Sequence, residues 1–327
     1  MKAVLLTGGF GTRLRPLTYT RPKHLLPIAN RPHMEHVFDL LQRHGVNEVV
    51  LTTSYLADAF AATVARARGR GLAVEVTHEP SPLGTAGAIK NAEAHLTDRA
   101  FLVFNGDILT DADLTAMLDF HRSREAEATI LLTPVEDPSA YGVVPTEADG
   151  RVVGFIEKPR AEEAPTKLIN AGVYVFEPSV LERVPAGREW SAETSLFPDL
   201  VEHDAGLYAL ASSAYWMDIG TPQKYLQANL DALSGRYGGV SAGGDMVLAE
   251  PGAAIAAGAR VARACLGAGA CIEAGATVES SVLLGRVAVG SGATVVRSIL
   301  GEGARVGPGA RVVDRAVADN DLVTEEG

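Results

Sequence analysis

The chain has 327 residues, 47% of them hydrophobic, which is enough for one large core or for two domains of ordinary size. Its formal net charge of -11 excludes a general attraction to nucleic acid or to an anionic membrane surface. No apolar run reaches the ~20 residues of a membrane span, and the first strand begins at Lys2 without a secretory signal pattern, so we expect a cytoplasmic protein. Cys265 and Cys271 predict packed or exposed thiols in a reducing compartment rather than a disulfide.

Strand-like and helix-like segments alternate in the first part of the chain, which is typical of a parallel α/β fold. In such a fold the loops that leave the carboxyl ends of neighbouring strands lie at one edge of the sheet, where ligands bind. We therefore expect the loop after the first strand to lie beside Asn105–Gly106–Asp107. The predicted strands are 2–7, 47–54, 72–79 and 100–107, and the predicted helical segments are 33–45, 56–71 and 84–96.

From about residue 128 the pattern becomes antiparallel, with short strands predicted within 128–135, 141–146 and 151–159. A final strand and helix within 215–234 lead into a Gly/Ser-rich stretch that has the composition of a linker. The predicted division is therefore a domain over 1–235, a linker over 236–245 and a second domain over 246–327.

The last 80 or so residues repeat at steps of five or six, with three steps to a turn. Val261, Val278, Val295 and Val312 are each 17 residues apart, which predicts a three-sided parallel β-helix. Glycines are expected at corners that need unusual backbone angles, and the alanine after each glycine is expected to point into a narrow interior. The other inward aliphatic positions taken from the spacing are 255, 266, 272, 284, 289, 300, 306 and 317, and the corner glycines are 258, 269, 275, 292, 303 and 309.

Residues 8–23, GGFGTRLRPLTYTRPK, form a glycine-rich basic loop directly after the first strand. Its backbone N–H groups and cations suit a phosphate-bearing ligand. The loop lacks the third glycine of the dinucleotide fingerprint, and it is not a P-loop. Asp107 and Asp218 each follow a predicted strand, and two such carboxylates are suitable ligands for a Mg²⁺ ion that bridges nucleotide phosphates.

The ordered set GGFGTRLRPLTYTRPKHLLP, PLGTAGAI, FNGDIL, AYGVV, FIEKP, NAGVYVF and YWMDIGTP, followed by the β-helix, resembles the sugar-nucleotide pyrophosphorylases. The resemblance implies a Rossmann-like mixed-sheet nucleotidyltransferase domain and a left-handed parallel β-helix. It also implies that an NTP and a sugar 1-phosphate are joined with release of pyrophosphate. Within this family the sequence is most similar to the mannose-1-phosphate guanylyltransferases, which favours GTP and mannose 1-phosphate. Glucose-1-phosphate thymidylyltransferases and enzymes for another sugar or cyclitol 1-phosphate remain alternatives.

The resemblance also implies residue roles. Arg13 is expected at the β- and γ-phosphates, Lys23 at the α-phosphate, and Asp107 and Asp218 at Mg²⁺. Lys158 is expected at the phosphate of the sugar. The residues implied to bind the nucleotide are Gly8, Gly9, Phe10, Gly11, Thr12, Gly84, Thr85 and Gly87, and those implied to bind the sugar are Gly142, Glu157, Asn170 and Gly172. Thr85 is also a candidate helix N-cap.

Several alternatives stay open at this point. A sensor that binds a nucleotide sugar without making it would be expected to lack Arg13, Lys23 or the two aspartates, and all four are present. A β-helix acyltransferase that uses a histidine base is disfavoured because residues 204–327 contain no histidine. We expect instead that the β-helix assembles a dimer or tetramer. The roles of Arg15 and Arg21 are open: each either contacts phosphate or is simply paired. The role of Phe10 is open between selecting the base and packing beside it.

Overall fold

The computed structural model describes residues 1–54, 56–96, 99–238 and 242–324. The predicted linker 236–245 is therefore only partly described, because residues 239–241 lie outside these ranges. The described chain divides into two compact units that are not continuous in sequence. The first unit comprises Met1–Gly9 and Val37–Trp216, and the second comprises Phe10–His36 and Met217–Gly327.

A mixed β-sheet forms the centre of the first unit. Its strands are β1 Lys2–Leu6, β2 Glu48–Thr53, β3 Ala73–His78, β4 Phe101–Asn105, β6 Ala128–Pro134, β7 Gly142–Val143, β8 Ile156–Glu157, β9 Leu168–Phe176 and β10 Leu207–Ala211, while the short strand β5 Ile108–Thr110 lies outside this sheet. The spatial order is β8-β7-β9-β4-β1-β2-β3, and β6 pairs with both β9 and β10. The neighbours of β1 are parallel to it, whereas β9 runs antiparallel to β4 and β6.

The sheet confirms the parallel beginning and the antiparallel continuation that the sequence predicted. Near-continuous runs of Val, Leu and Phe in β1 and β4 are buried, as expected for central strands covered on both faces. Phe101, Tyr174, Phe176 and Phe197 pack together in the core, with ring centroids 5.2 to 6.1 Å apart. The helices are α1 His33–Arg43, α2 Ala61–Gly69, α3 Gly84–Asn91, α4 Leu114–Ser123 and α5 Phe197–Glu202.

The second unit contains the segment 10–36, the end of β11 Trp216–Asp218, helix α6 Pro222–Leu233 and the β-helix. Helix α6 begins after Thr221, whose hydroxyl accepts a hydrogen bond from the Lys224 backbone N–H (3.3 Å), with Pro222 in the first turn. Its buried face holds the segment 27–30: Tyr225 Oη donates to the Pro27 carbonyl (2.7 Å), and the Ala29 N–H donates to Asn229 Oδ1 (2.9 Å).

The β-helix has the predicted register. Val261, Val278, Val295 and Val312 are paired one above the other in parallel strands. The three sheets comprise, in turn, Val247–Ala249, Ala264–Leu266, Val282–Leu283, Ile299–Leu300 and Ala316–Val317; then Ala254–Ile255, Cys271–Ile272, Ala288–Val289, Arg305–Val306 and Leu322–Val323; then Arg260–Ala262, Thr277–Glu279, Thr294–Val296 and Arg311–Val313.

Two inward positions taken from the spacing are wrong. The interior position falls on Leu283, which pairs with Leu266 and Leu300, and not on its neighbour Leu284. Ile255 is exposed in the first coil rather than interior. Periodicity predicts the spacing within a coil but allows a shift of one residue at a corner, which explains the error at Leu284. It does not predict whether a neighbouring coil covers the first coil, which explains the error at Ile255.

The six predicted corner glycines all have φ between 69° and 82°, a region that favours glycine. A further set of corners carries other residues with positive φ, at 246, 263, 280, 297 and 314, again 17 residues apart. The sequence did not reveal these corners because glycine was the signal that we used. The two cysteines do not form a disulfide, and burial raises the pKa of the Cys265 thiol to about 12.

The interior of the β-helix generates the first prediction. Leu300 is fully buried in it, so Leu300→Ala should lower the free energy of unfolding by about 2–5 kcal/mol through the cavity it leaves. The matched change Val296→Ala, at a half-buried outward position, should cost less than about 1 kcal/mol. Urea unfolding of both variants measures the difference, and equal losses would show that Leu300 is not part of a packed interior.

Candidate functional site

The loop after β1 and the turn after β4 lie at the same edge of the first-unit sheet. Leu6 pairs with Asn105 at the ends of these parallel strands, and the Gly106 N–H donates to the Leu6 carbonyl (2.8 Å). Gly8 and the half-buried Asp107 therefore leave the sheet side by side, as the sequence predicted.

Gly8 lies against a buried carboxylate that the sequence analysis missed. A Cβ atom at Gly8 would lie 3.2 Å from Glu79 Oε1 and 3.3 Å from Ser54 Oγ. The Leu83 N–H donates to Glu79 Oε2 (3.3 Å), whereas Oε1 is buried and has no hydrogen-bond partner among the described residues. Burial raises the pKa of Glu79, although the hydrogen bond from Leu83 opposes the shift. Glu79 follows β3 directly, and only that position at a strand end could have indicated it.

The residues of the PLGTAG segment pack closely against residues 188–193. A Cβ atom at Gly84 would lie 2.8 Å from the Trp190 carbonyl oxygen, and one at Gly87 would lie 2.6 Å from that of Arg188. These contacts require glycine for packing, whatever else the segment binds.

The interpretation of Thr85 as the N-cap of α3 is wrong. The N-cap position is Leu83, and Thr85 lies within the helix. Its hydroxyl donates to Glu193 Oε2 (2.7 Å) and accepts from the Ala192 N–H (2.7 Å). Thr85 therefore joins α3 to the segment that covers it.

Gly142, Glu157 and Lys158 lie together on the hairpin β7–β8. Gly142 pairs with Glu157 across the hairpin, and a Cβ atom at Gly142 would lie 2.5 Å from the Phe155 ring and 3.0 Å from Glu157 Oε2. Lys158 has φ 47°, and its largely exposed ammonium is 2.8 Å from Glu157 Oε1. A cation and a carboxylate thus lie side by side at the end of the hairpin, next to Gly142.

Asn170 and Gly172 lie at an irregularity in β9, where its register with β6 shifts between Asn170 and Tyr174. Asn170 Nδ2 donates to Tyr174 Oη (2.9 Å), and the Gly172 N–H donates to Asn170 Oδ1 (2.9 Å). Gly172 has φ 72°, and a Cβ atom there would lie 2.9 Å from Asn105 Nδ2. The bulge brings Asn170 and Gly172 next to the end of β4, which precedes Asp107.

In the second unit the predicted phosphate-binding residues lie on two short turns, each with one buried side chain: Leu14 in the first and His24 in the second. Arg13 lies in the turn Thr12–Leu14, which follows Gly11 (φ 59°), and Leu14 is buried. The Thr18 hydroxyl donates to the Gly11 carbonyl (2.8 Å) and closes the loop. Phe10, at the start of this unit, is 55% exposed. Lys23 begins a second turn, Lys23–Leu25.

Arg13 and Asp218 both lie against the backbone of Gly220. A Cβ atom at Gly220 would lie 3.2 Å from Arg13 Nη2 and 3.2 Å from Asp218 Oδ2. Lys224, which the sequence analysis missed, forms an ion pair with Asp218 Oδ1. Its position in the first turn of α6 explains the contact, because Asp218 lies four residues before the helix. The Lys224 ammonium thus compensates the charge of this carboxylate.

The structure also places the residues whose roles were left open. Arg21 is paired with Glu302 and Asp319, and the Arg15 guanidinium lies over the Tyr19 ring, 5.4 Å from its centroid. The structure therefore supports pairing for Arg21, whereas the role of Arg15 stays a prediction. No group of three or more His, Cys, Asp or Glu side chains within the described ranges could hold a metal ion by itself. Of the described helices, none combines the length and the apolar character needed to cross a bilayer.

Together these features define an α/β protein with a glycine-rich basic loop after its first strand and a parallel β-helix. Residues 2–235 match the family described as Nucleotidyl transferase, and the chain belongs to that family. Residues 244–327 match the family described as GMPPB C-terminal domain.

Individual relatives are similar over most of the first part of the chain. The chain is 44% identical to "Mannose-1-phosphate guanylyltransferase" of Mycobacterium tuberculosis, over 71% of this chain and 65% of that protein. It is 42% identical to "Mannose-1-phosphate guanylyltransferase catalytic subunit beta" of Danio rerio, over 69% of this chain and 63% of that protein. The matches thus span just under two thirds of the length of these relatives. The crystal structure of HddC from Yersinia pseudotuberculosis complexed with GMP-PN matches with a TM-score of 0.60 at 30% identity, covering 70% of this chain and 97% of HddC.

The raised pKa of Glu79 generates the second prediction. A carboxyl whose pKa is raised in the folded state contributes stability that is present below the unfolded pKa of ~4.3 and is lost as the pH rises through the folded pKa. Glu79→Gln cannot ionise, so the variant should gain stability relative to the wild type as the pH rises from ~4.3 through the folded-state pKa of Glu79. Urea unfolding across this range measures the difference in free energy, and parallel curves would contradict the assignment.

Proposed function

We propose that the protein is a sugar-1-phosphate nucleotidyltransferase that forms GDP-mannose and pyrophosphate from GTP and mannose 1-phosphate. The observation that carries the proposal is the glycine-rich loop whose Arg13 lies with Asp218 against Gly220, at the end of a strand. The family membership and the names of the relatives support the same activity.

The proposed reaction needs no covalent protein nucleophile. A phosphate oxygen of the sugar 1-phosphate attacks the α-phosphorus of the nucleotide, and the bond between this phosphorus and the oxygen that bridges to the β-phosphate breaks. The protein must gather two anions that repel each other and stabilise the charge that develops on the phosphorus. Backbone groups of residues 8–12 would cradle the triphosphate, Arg13 would hold the leaving pyrophosphate and Lys23 would contact the phosphorus under attack.

Asp107 and Asp218 are each proposed as a Mg²⁺ ligand. Carboxylate oxygens suit this ion, which proteins usually bind through one or two carboxylates together with substrate phosphates. The ion pair of Asp218 with Lys224 supports the assignment, because the ammonium stands where a cation is needed. A bound Mg²⁺ would neutralise phosphate charge during the transfer.

The hairpin β7–β8 and the bulge in β9 are proposed to bind the sugar 1-phosphate. Lys158 would contact its phosphate, while Glu157, Asn170 and the backbone at Gly142 and Gly172 would bind its hydroxyls. The exposure of the Lys158 side chain and its pairing with Glu157 are compatible with such a site, because the pair is accessible to a ligand.

Glu79 favours guanine as the base. The Watson–Crick edge of guanine presents an N1–H and an N2–H donor side by side, and a carboxylate can accept from both. Thymine and uracil present only one N–H donor at that edge. Glu79 Oε1 is an unsatisfied buried acceptor next to Gly8, where the predicted nucleotide loop begins. Phe10, two residues further along this loop, is exposed and is proposed to stack on the base.

Other parts of the proposal rest on the sequence. The catalytic domain is proposed over residues 1–235 and the β-helix over 246–327, with self-association into a dimer or tetramer through the β-helix and a cytoplasmic location. A thymidylyltransferase for glucose 1-phosphate, and an enzyme for another sugar or cyclitol phosphate, are the alternatives within the class. A sensor that binds without turnover is the alternative outside it.

The metal assignment generates the third prediction. Asp107→Ala and Asp218→Ala should each lower kcat by at least about 100-fold, because the loss of one carboxylate weakens a Mg²⁺ site that has few protein ligands. Asp119→Ala, which removes an exposed carboxylate paired with Arg122 on α4, should leave the rate within about twofold. The assay is pyrophosphate release with GTP, mannose 1-phosphate and Mg²⁺, and near-normal rates in either aspartate variant would refute that ligand.

The base assignment generates the fourth prediction. Glu79→Gln should lower kcat/KM for GTP by about 10- to 100-fold, since a charge-assisted acceptor is replaced by an amide. The rate with dTTP or UTP should change less, so the preference for GTP should narrow. Ser54→Ala, which removes the other polar side chain next to Gly8, is the matched control and should not narrow the preference. A Glu79→Gln variant with an unchanged GTP preference would exclude contact with the base.

A further inference from the structure

The segment that carries the phosphate-binding residues is bonded to the last coils of the β-helix. Arg21 Nη2 lies 2.8 Å from Glu302 Oε2 and 2.9 Å from Asp319 Oδ2. The Thr20 hydroxyl also donates to Asp319 Oδ2. The side chains of Arg21 and Asp319 are only 21% and 8% exposed, so water screens this network much less than it screens an ordinary surface ion pair.

Both carboxylates are themselves held in place by the β-helix. Asp319 Oδ1 accepts a hydrogen bond from the Glu302 N–H (2.7 Å), which joins two successive coils. Glu302 Oε1 is 2.8 Å from Arg286 Nη2 of the preceding coil. The stacked coils therefore present Arg21 with two acceptors at fixed positions, and little side-chain entropy remains to be lost when the loop is ordered.

A second anchor lies on the other side of Lys23. Asn30 Nδ2 donates to the backbone carbonyls of Leu248 (3.2 Å) and Leu266 (3.1 Å), both in strands of the β-helix. Lys23 lies between Arg21 and Asn30, so the β-helix holds the chain on both sides of it. A lysine side chain carries about 2 kcal/mol of rotamer entropy, and a fixed backbone beneath it restricts where the ammonium can reach.

We propose that Glu302 and Asp319 are positioning residues for the transfer reaction: through Arg21 they hold the segment from which Lys23 reaches the α-phosphate. The β-helix then has a role in the chemistry besides assembly. The inference rests on the proposed function and adds to it, because nothing in the proposed reaction by itself requires the β-helix. Catalytic geometry of this kind is sensitive, and a misplacement of about 1 Å can cost a rate factor on the order of 10².

Asp319→Asn and Glu302→Gln test the proposal, because they remove the charges that hold Arg21 and keep the shape of the side chains. Both should lower kcat/KM for GTP about 10- to 100-fold and change KM for mannose 1-phosphate less than about threefold. Asp314→Asn is the matched control: it breaks a two-bond ion pair with Arg297 (2.7 and 2.7 Å) on the same β-helix without touching the loop. It should leave both parameters unchanged.

A merely structural role would show itself differently. In that case Asp319→Asn and Glu302→Gln would lower the thermal midpoint but retain normal kinetics at 25 °C, which would overturn the proposal. If one of the two variants does not fold, the other still decides the question, because each removes one of the two ion pairs of Arg21.

A double-mutant cycle tests whether Asp319 acts through Arg21. If it does, the double variant Arg21→Ala/Asp319→Asn should be no slower than Arg21→Ala alone, and Arg21→Lys should recover part of the loss. Multiplied rate losses would mean that Asp319 and Arg21 act independently and would refute the proposal. If the wild type is inactive, the proposed function itself is refuted. If the wild type is active but Asp319→Asn and Glu302→Gln react as fast as Asp314→Asn, only the present inference is refuted.

Discussion

The ion pairs of Arg21 with Glu302 and Asp319 join residues that are 281 and 298 positions apart in the sequence. They explain why the segment 10–36 belongs to the same compact unit as the β-helix, although the chain passes through the whole α/β sheet between them. The glycines and cations of the loop are useful only if the backbone that carries them is fixed. Arg21 and Asn30 supply that fixation, and the buried Leu14 and Leu17 support the turn that carries Arg13.

Much of the fold could be predicted from local patterns. The buried strands around β1, the helical segments and the 17-residue repeat each depend on neighbours close in sequence, and the structure confirms them. The sequence could not reveal which acceptors Arg21 would find, because a basic residue in a loop looks the same whether it meets phosphate, solvent or a distant carboxylate. The corners at 263, 280 and 297 were missed for a related reason: the coil geometry imposes positive φ there on residues that do not prefer it.

In the candidate site, too, local sequence patterns predicted some residues and could not predict others. Motifs placed the loop after β1 and Asp107 at one edge of the sheet, because the order of parallel strands dictates that edge. Glu79 and Lys224 belong to no sequence motif. Glu79 became a candidate because it is buried beside Gly8, and Lys224 because it forms an ion pair with Asp218. Thr85 was misassigned because a threonine near a helix start normally caps it, whereas here a tertiary bond to Glu193 uses the hydroxyl.

The central claim is that the loop and its carboxylates transfer a guanylyl group to a sugar 1-phosphate. Its most direct test is pyrophosphate release by the purified full chain over a matrix of four NTPs and a panel of sugar 1-phosphates, with Mg²⁺ present. The account predicts the highest kcat/KM for GTP with mannose 1-phosphate. Release with no pair, while a nucleotide sugar still binds, would contradict the claim and indicate a sensor.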